Sequence, residues 1–168
     1  MMNSFSLGEV KVSLTPAERF EEFLQSKGKR RSKQKTALVE TIFAQHEHFD
    51  AKELMDRMRE SDDSDETPSH ATVYRLLCEL EEAGLLRKME LNGRAVYEHD
   101  YGYPQHDHMY CERCRKLIEF QSEEIKKITD AVAGEHQFRA TGRRLIVYGI
   151  CNDCAQPRKG RNRPHDKI

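Results

Sequence analysis

The sequence predicts an α+β chain: an N-terminal winged helix-turn-helix domain, then a small α/β domain with a four-cysteine zinc site. Three observations carry the prediction. Capped helical patterns fill the first half of the chain and end in a hairpin, the order of a winged helix. The turn-rich "DYGYPQ", Asp100 to Gln105, then interrupts the pattern. After it, two C-x-x-C pairs stand at either end of a stretch that reads as strands and a helix. On these grounds residues 1–14 are a mobile arm, 15–100 the winged helix, 101–105 a hinge, 106–155 the zinc-stabilised domain and 156–168 a basic disordered tail.

The elements follow in chain order. Thr15 caps a first helix, with Pro16 at its first position and Glu18 completing the capping box. Phe20, Phe23 and Leu24 form its apolar stripe, and Gly28 stops it. A second helix from about Ser32 turns Leu38, Val39, Ile42 and Phe43 inward. Asp50 and Glu53 repeat the capping pattern before a third helix carrying Leu54, Met55 and Met58. Ser69 caps a fourth, in which Val73, Leu76, Leu77 and Leu80 share one face and Ala83-Gly84 closes the end. "LLRKMELNGRAVYEH" makes two short strands around Asn92-Gly93, a dipeptide suited to a two-residue hairpin turn. Past the break, "HDHMY" and "KLIEF" read as strands. Ser122 caps a helix with Ile125, Ile128 and Val132 on one face, and "RRLIVYGI" is a strand leading into "CNDC".

No apolar run reaches the length of a membrane span, and the N-terminus lacks the basic-then-apolar order of a signal peptide. The expected location is the cytoplasm, with no membrane partner, where clustered cysteines mean metal or redox chemistry more often than disulfides. A net charge of −1 decides nothing about nucleic acid, but its distribution is uneven. "KGKRRSKQK", Lys27 to Lys35, is densely basic and "RESDDSDE", Arg59 to Glu66, acidic. Each such run taken alone is usually just a solvated face.

Cys111 with Cys114, and Cys151 with Cys154, are two knuckles whose sulfurs together complete a tetrahedral thiolate site. Four protein ligands close the metal to substrate, so the expected ion is one structural Zn(II) per chain. Cys78, mid-helix, reads as plain packing.

On a strand, His106 and His108 point together while Asp107 points away. With the cysteines already partnered, the imidazoles need a site of their own. Further candidate ligands are His48, Glu98 and Glu119. Such a nitrogen and oxygen set suits Fe(II), Mn(II) or Zn(II). The plainer alternative is surface histidines beside solvated glutamates. His48 and Glu98 precede the hinge and the others follow it, so a metal using both sets would clamp the two domains.

At this point the chain resembles the ferric uptake regulator (Fur) family of metal-dependent repressors. The matching stretches are "ATVYRLLCELEEAGLL" with its hairpin, "HDHMYCERC", "KLIEF" and "CNDC", in family order over about residues 15–155. The resemblance implies a homodimer built through the C-terminal domain and a double-stranded DNA operator as partner. It makes the fourth helix the recognition helix, with Tyr74 on a thymine methyl or the backbone and Arg75 on base or phosphate. It places Arg30 at the minor groove and Lys35 on a phosphate, while the family's proline near position 34 is Gln34. Its sensing site falls on His48, Glu98, His106, His108 and Glu119. The glutamates point to Fe(II), since peroxide sensors of the family carry aspartates there; zinc sensors carry a cysteine before the H-x-H. A further metal site of many relatives would use Gln105, Asp107, Lys126 and Arg143, of which only Asp107 is a fitting ligand. The site is therefore expected to be absent, with Lys126 or Arg143 supplying the missing positive charge.

The expectation is a non-enzymatic repressor in which metal binding between the domains sets the operator-binding form of the dimer. The alternatives are a manganese or peroxide sensor on the same scaffold, or a metallohydrolase using His106, His108 and Glu119 around an activated water.

Overall fold

The computed structural model describes residues 10–30, 32–44, 47–61 and 68–156. The start of the expected arm, His46, the acidic residues 62–67 and the tail from 157 lie outside the described residues. The chain divides into two compact units between Pro104 and Gln105.

The first unit contains helices α1 (Pro16–Ser26), α2 (Lys33–Phe43), α3 (Ala51–Ser61) and α4 (His70–Glu82), then strands β1 (Leu86–Leu91) and β2 (Arg94–His99). The helix starts are those the capping residues dictate. Thr15 accepts from the Glu18 amide while Glu18 reaches back to the Thr15 amide at 2.7 Å. Ser32, Asp50 and Ser69 each accept from an amide three residues on. Four orphan amides at every helix start make such caps worth about 1 kcal/mol each. The hairpin pairs Leu91 with Arg94 around Asn92 and Gly93, both at positive φ, as the two-residue turn demands. Phe20, Leu24, Leu38, Val39, Ile42, Leu54, Met55 and the α4 stripe Val73, Leu76, Leu77 and Leu80 meet in one core with Phe49, Leu85, Leu86 and Tyr97. Three helices, a recognition-type helix and a two-stranded wing make this a winged helix.

The second unit has strands β3 (Asp107–Cys111) and β4 (Leu117–Phe120), helix α5 (Glu123–Glu135), strand β5 (Ile146–Gly149) and the short helix α6 (Asn152–Ala155). The sheet order is β4-β3-β5, antiparallel across β4 and parallel across β5. Ser122 caps α5 by accepting from the Ile125 amide. α6 was not anticipated; its four residues are too few to carry a periodic signal. The expected apolar face of α5 exists but is uncovered: Ile128 is 64% exposed and Val132 49%. Among the described residues of this unit, Tyr110 and Cys111 are the buried apolar side chains. So small a core rarely stabilises a unit of this size alone. No helix among the described residues is long and apolar enough to cross a membrane.

Candidate metal centres

The four-cysteine set lies wholly within the second unit. Cys111 ends β3, Cys114 follows in the turn, and Cys151 and Cys154 cap and sit in α6. The parallel β3–β5 pairing puts Cys111 opposite Gly149 and so delivers the second knuckle beside the first. All four sulfurs lie within 4.8 Å of one another, and Cys114 and Cys151 are 3.6 Å apart. Tetrahedral zinc–sulfur bonds of about 2.3 Å separate neighbouring sulfurs by roughly 3.8 Å, so the cage fits such an ion. The electrostatics are uneven. Backbone amides of Cys114 and Cys151 pull the Cys111 thiol down to about 6, and the Cys151 amide donates to its sulfur at 3.3 Å. Burial first, and then the neighbouring thiols, push Cys154 up to about 12. A thiol raised as far as Cys154 holds a proton that a cation must displace, which makes loading pH-dependent.

The nitrogen and oxygen donors form two groups, one in each unit. In the first unit Phe49 and Tyr97 make an isolated antiparallel bridge, with amide–carbonyl distances of 3.1 and 2.8 Å. That bridge sets residue 48 across from residue 98, and His48 Nε2 lies 3.3 Å from Glu98 Oε2. Arg87 on β1 approaches the other oxygen of Glu98 at 3.6 Å and also pairs with Asp100.

In the second unit His106, just ahead of β3, and His108 on β3 bring their rings to 4.7 Å. Glu119 is the register partner of His108 on β4, and its carboxylate comes within 3.8 Å of His106. Both imidazoles are buried. The strand alternation read from the sequence puts His106 with His108; the β3–β4 register adds Glu119, and the Phe49–Tyr97 bridge brings His48 to Glu98.

Asp107 points to the opposite side of the strand, fully buried, and Arg143 takes it in a fork. Nε and Nη2 donate to one oxygen at 3.0 and 2.8 Å, and the Leu145 amide to the other at 3.2 Å. Of the two cations considered from the sequence, Arg143 makes the contact, while Lys126 stands exposed on α5.

On the helical face of α4 that turns away from the core, Ala71, Tyr74, Arg75 and Cys78 are exposed. Cys78 is thus a correction, since it is not packed in the core. It stands one turn after Tyr74, a spacing that already announced the shared face. Arg30 is exposed after α1. Lys35 has a partner inside the unit, 2.6 Å from the buried Glu79 of α4.

The chain is similar to known proteins in sequence and in fold. The ferric uptake regulator family model matches residues 26–148. The ferric uptake regulation protein of Campylobacter upsaliensis is 34% identical, over 82% of this chain and 87% of that one. The solved ferric uptake regulator of Pseudomonas aeruginosa with manganese superposes with a TM-score of 0.66 at 26% identity, covering 79% of this chain and 97% of that one. The Helicobacter pylori regulator reaches a TM-score of 0.74 at 24% identity, covering 89% and 99%, a likeness of fold. That family consists of transcriptional regulators rather than enzymes, which sets the hydrolase alternative aside. With a winged helix, a four-thiol cage and two histidine–glutamate groups in family order, the chain belongs to the ferric uptake regulator family of metal-responsive regulators.

Proposed function

We propose that the chain is a homodimeric repressor that reads duplex DNA with α4 and senses Fe(II) through His48, Glu98, His106, His108 and Glu119, with Zn(II) held by Cys111, Cys114, Cys151 and Cys154. The observation that carries the reading is the convergence of each histidine–glutamate group on its own scaffold, the wing in one unit and the β3–β4 pair in the other. Two imidazoles with carboxylates fit Fe(II), Mn(II) and Zn(II) alike by donor type. The absence of thiolate from this set, and glutamate at both carboxylate positions, favour Fe(II); Mn(II) is the second choice.

The zinc would supply folding energy to the small second unit, a role that four thiolates with no open position suit. The sensing residues would act differently. A metal shared by residues 48 and 98 on one side and 106, 108 and 119 on the other prefers one arrangement of the two units. It shifts the population toward that arrangement by its differential affinity. A hundredfold gain in operator affinity requires about 2.7 kcal/mol of coupling, within the ordinary range. Arg75 and Tyr74 face outward from α4 to meet base edges and backbone, and Arg30 stands exposed in the basic run Lys27 to Lys35. The exposed Ile128, Val132 and Phe138, with Tyr148 on the edge strand β5, supply the surface of a second copy.

His106→Ala and Cys111→Ser separate the two roles. The first variant is expected to keep its melting temperature and dimer mass while losing the DNA binding that added Fe(II) or Mn(II) induces. The second is expected to lose zinc and to fall apart or unfold. Identical behaviour of the two would contradict the division.

A further inference from the structure

The basic run between α1 and α2 is partly neutralised from inside. Glu79 projects from α4 and is 5% exposed, yet its two oxygens each hold a different lysine of that run. Lys29 Nζ sits 2.8 Å from Oε1 and Lys35 Nζ 2.6 Å from Oε2. Burial works against ionising Glu79, and the two ammonium groups outweigh it, holding its carboxyl below the usual range. Glu79 in turn holds the Lys29 ammonium above its usual range, against a smaller opposing push from Arg75, a residue of the exposed α4 face. The arrangement is what two lysines make around a phosphate oxygen pair, with a carboxylate of the recognition helix in the anion's place.

We propose that Glu79 occupies a two-lysine anion clamp, withholding Lys29 and Lys35 from the DNA backbone and thereby shifting binding from phosphate contact toward base reading by α4. The inference rests on the DNA-binding reading above. Releasing either lysine to a phosphate would leave a nearly buried carboxylate short of a partner, which is strongly unfavourable, so the clamp stays closed in the complex. The phosphate contact that the family resemblance implies for Lys35 is, on this account, replaced by an internal one. The nearby Lys27–Glu82 pair at 2.5 Å is about half exposed on both sides and exchanges easily with solvent, so it withholds nothing. Charge on phosphate is read without regard to sequence, and each contact adds about 0.9 to the slope of log affinity against log salt. Two withheld lysines therefore lower sequence-independent affinity and flatten its salt dependence, leaving a larger share of recognition to Tyr74 and Arg75.

The test uses the full chain, loaded with zinc and Mn(II), and a random-sequence 30-base-pair duplex titrated over a range of salt. Glu79→Gln is expected to bind this duplex more tightly at low salt, with a slope steeper by about 1 to 2. Adding Lys29→Gln to that variant should take back about 0.9 of the gain. Lys29→Gln alone should leave the wild-type slope where it is, a measurement that stands even if Glu79→Gln does not fold. A slope unchanged by Glu79→Gln in protein that melts cooperatively would overturn the proposal. So would a slope that falls by about 0.9 on Lys29→Gln alone, because that lysine would then already be on phosphate. If no protein in the series binds duplex DNA under any metal condition, the DNA reading itself falls and this inference with it.

Discussion

Asp107 shows how one residue can be both hidden and informative. It is fully buried between two histidines in sequence, on the other side of their strand, and its charge is met by Arg143 and the Leu145 amide. Removing one partner of a buried ion pair leaves the other uncompensated, at about 3–5 kcal/mol. Arg143→Ala should therefore lower unfolding free energy by about 3 kcal/mol or more in urea titration, and Asp107→Asn with Arg143→Ala together by less than the sum. Additive losses would mean that the pair does not act as one. The alternation of the strand showed which way Asp107 faces. Which of two cations answers it depends on the path of residues 136–145, and no local pattern encodes that. Asp50 is the second residue with a measurable signature. Its burial raises the cost of ionisation, but the Glu53 amide, Arg94 and the Lys52 amide outweigh it and hold the carboxyl below the usual aspartate range. A carboxyl depressed in the folded state contributes stability above its unfolded pKa and loses it as pH falls through the folded value. Asp50→Asn should thus destabilise the protein at pH 7, and the gap to wild type should close as pH drops below about 4. A gap that persists in acid would place the effect in packing rather than charge.

Helix α5 is the element whose meaning exceeds its own contacts. Its sequence announced a cap and an apolar stripe, and both are present, but periodicity describes a stripe without saying what covers it. Among the described residues the stripe stays open, for Ile128 is 64% exposed. Exposed positions away from special features tolerate change within about 0.5 kcal/mol. Ile128→Lys is therefore expected to leave the melting of an isolated subunit nearly unchanged while converting the dimer to monomer in sedimentation. A variant that stays dimeric would move the interface elsewhere, with the β5 edge at Tyr148 next in line. The other elements were legible for a common reason. Helices α1 to α4 carry their start signals and core stripes within a dozen residues, and the hairpin carries its turn in Asn92-Gly93. α6 has no such signal, and Cys78 departs from its expected packing because a free cysteine is usually buried and only its spacing from Tyr74 marks the outer face.

At the scale of the whole molecule, the sequence held the metal chemistry more plainly than the response. Spacing alone grouped the four cysteines and, through strand alternation, His106 with His108. Glu119 needed the β3–β4 register and His48 the Phe49–Tyr97 bridge, both long-range pairings; the sequence offers the residues only as candidate ligands, which the family resemblance gathers into one set. The proposed function gives one metal-binding set to the fold and the other to the control of DNA binding. The measurement that addresses it most directly is metal content and duplex binding on a single sample, before and after Fe(II) or Mn(II) is added without oxygen. The account predicts one tightly held zinc per chain throughout, with DNA binding that appears only on the added metal. Zinc present and DNA binding indifferent to Fe(II) and Mn(II) would contradict it, leaving His106 and His108 without the role assigned to them.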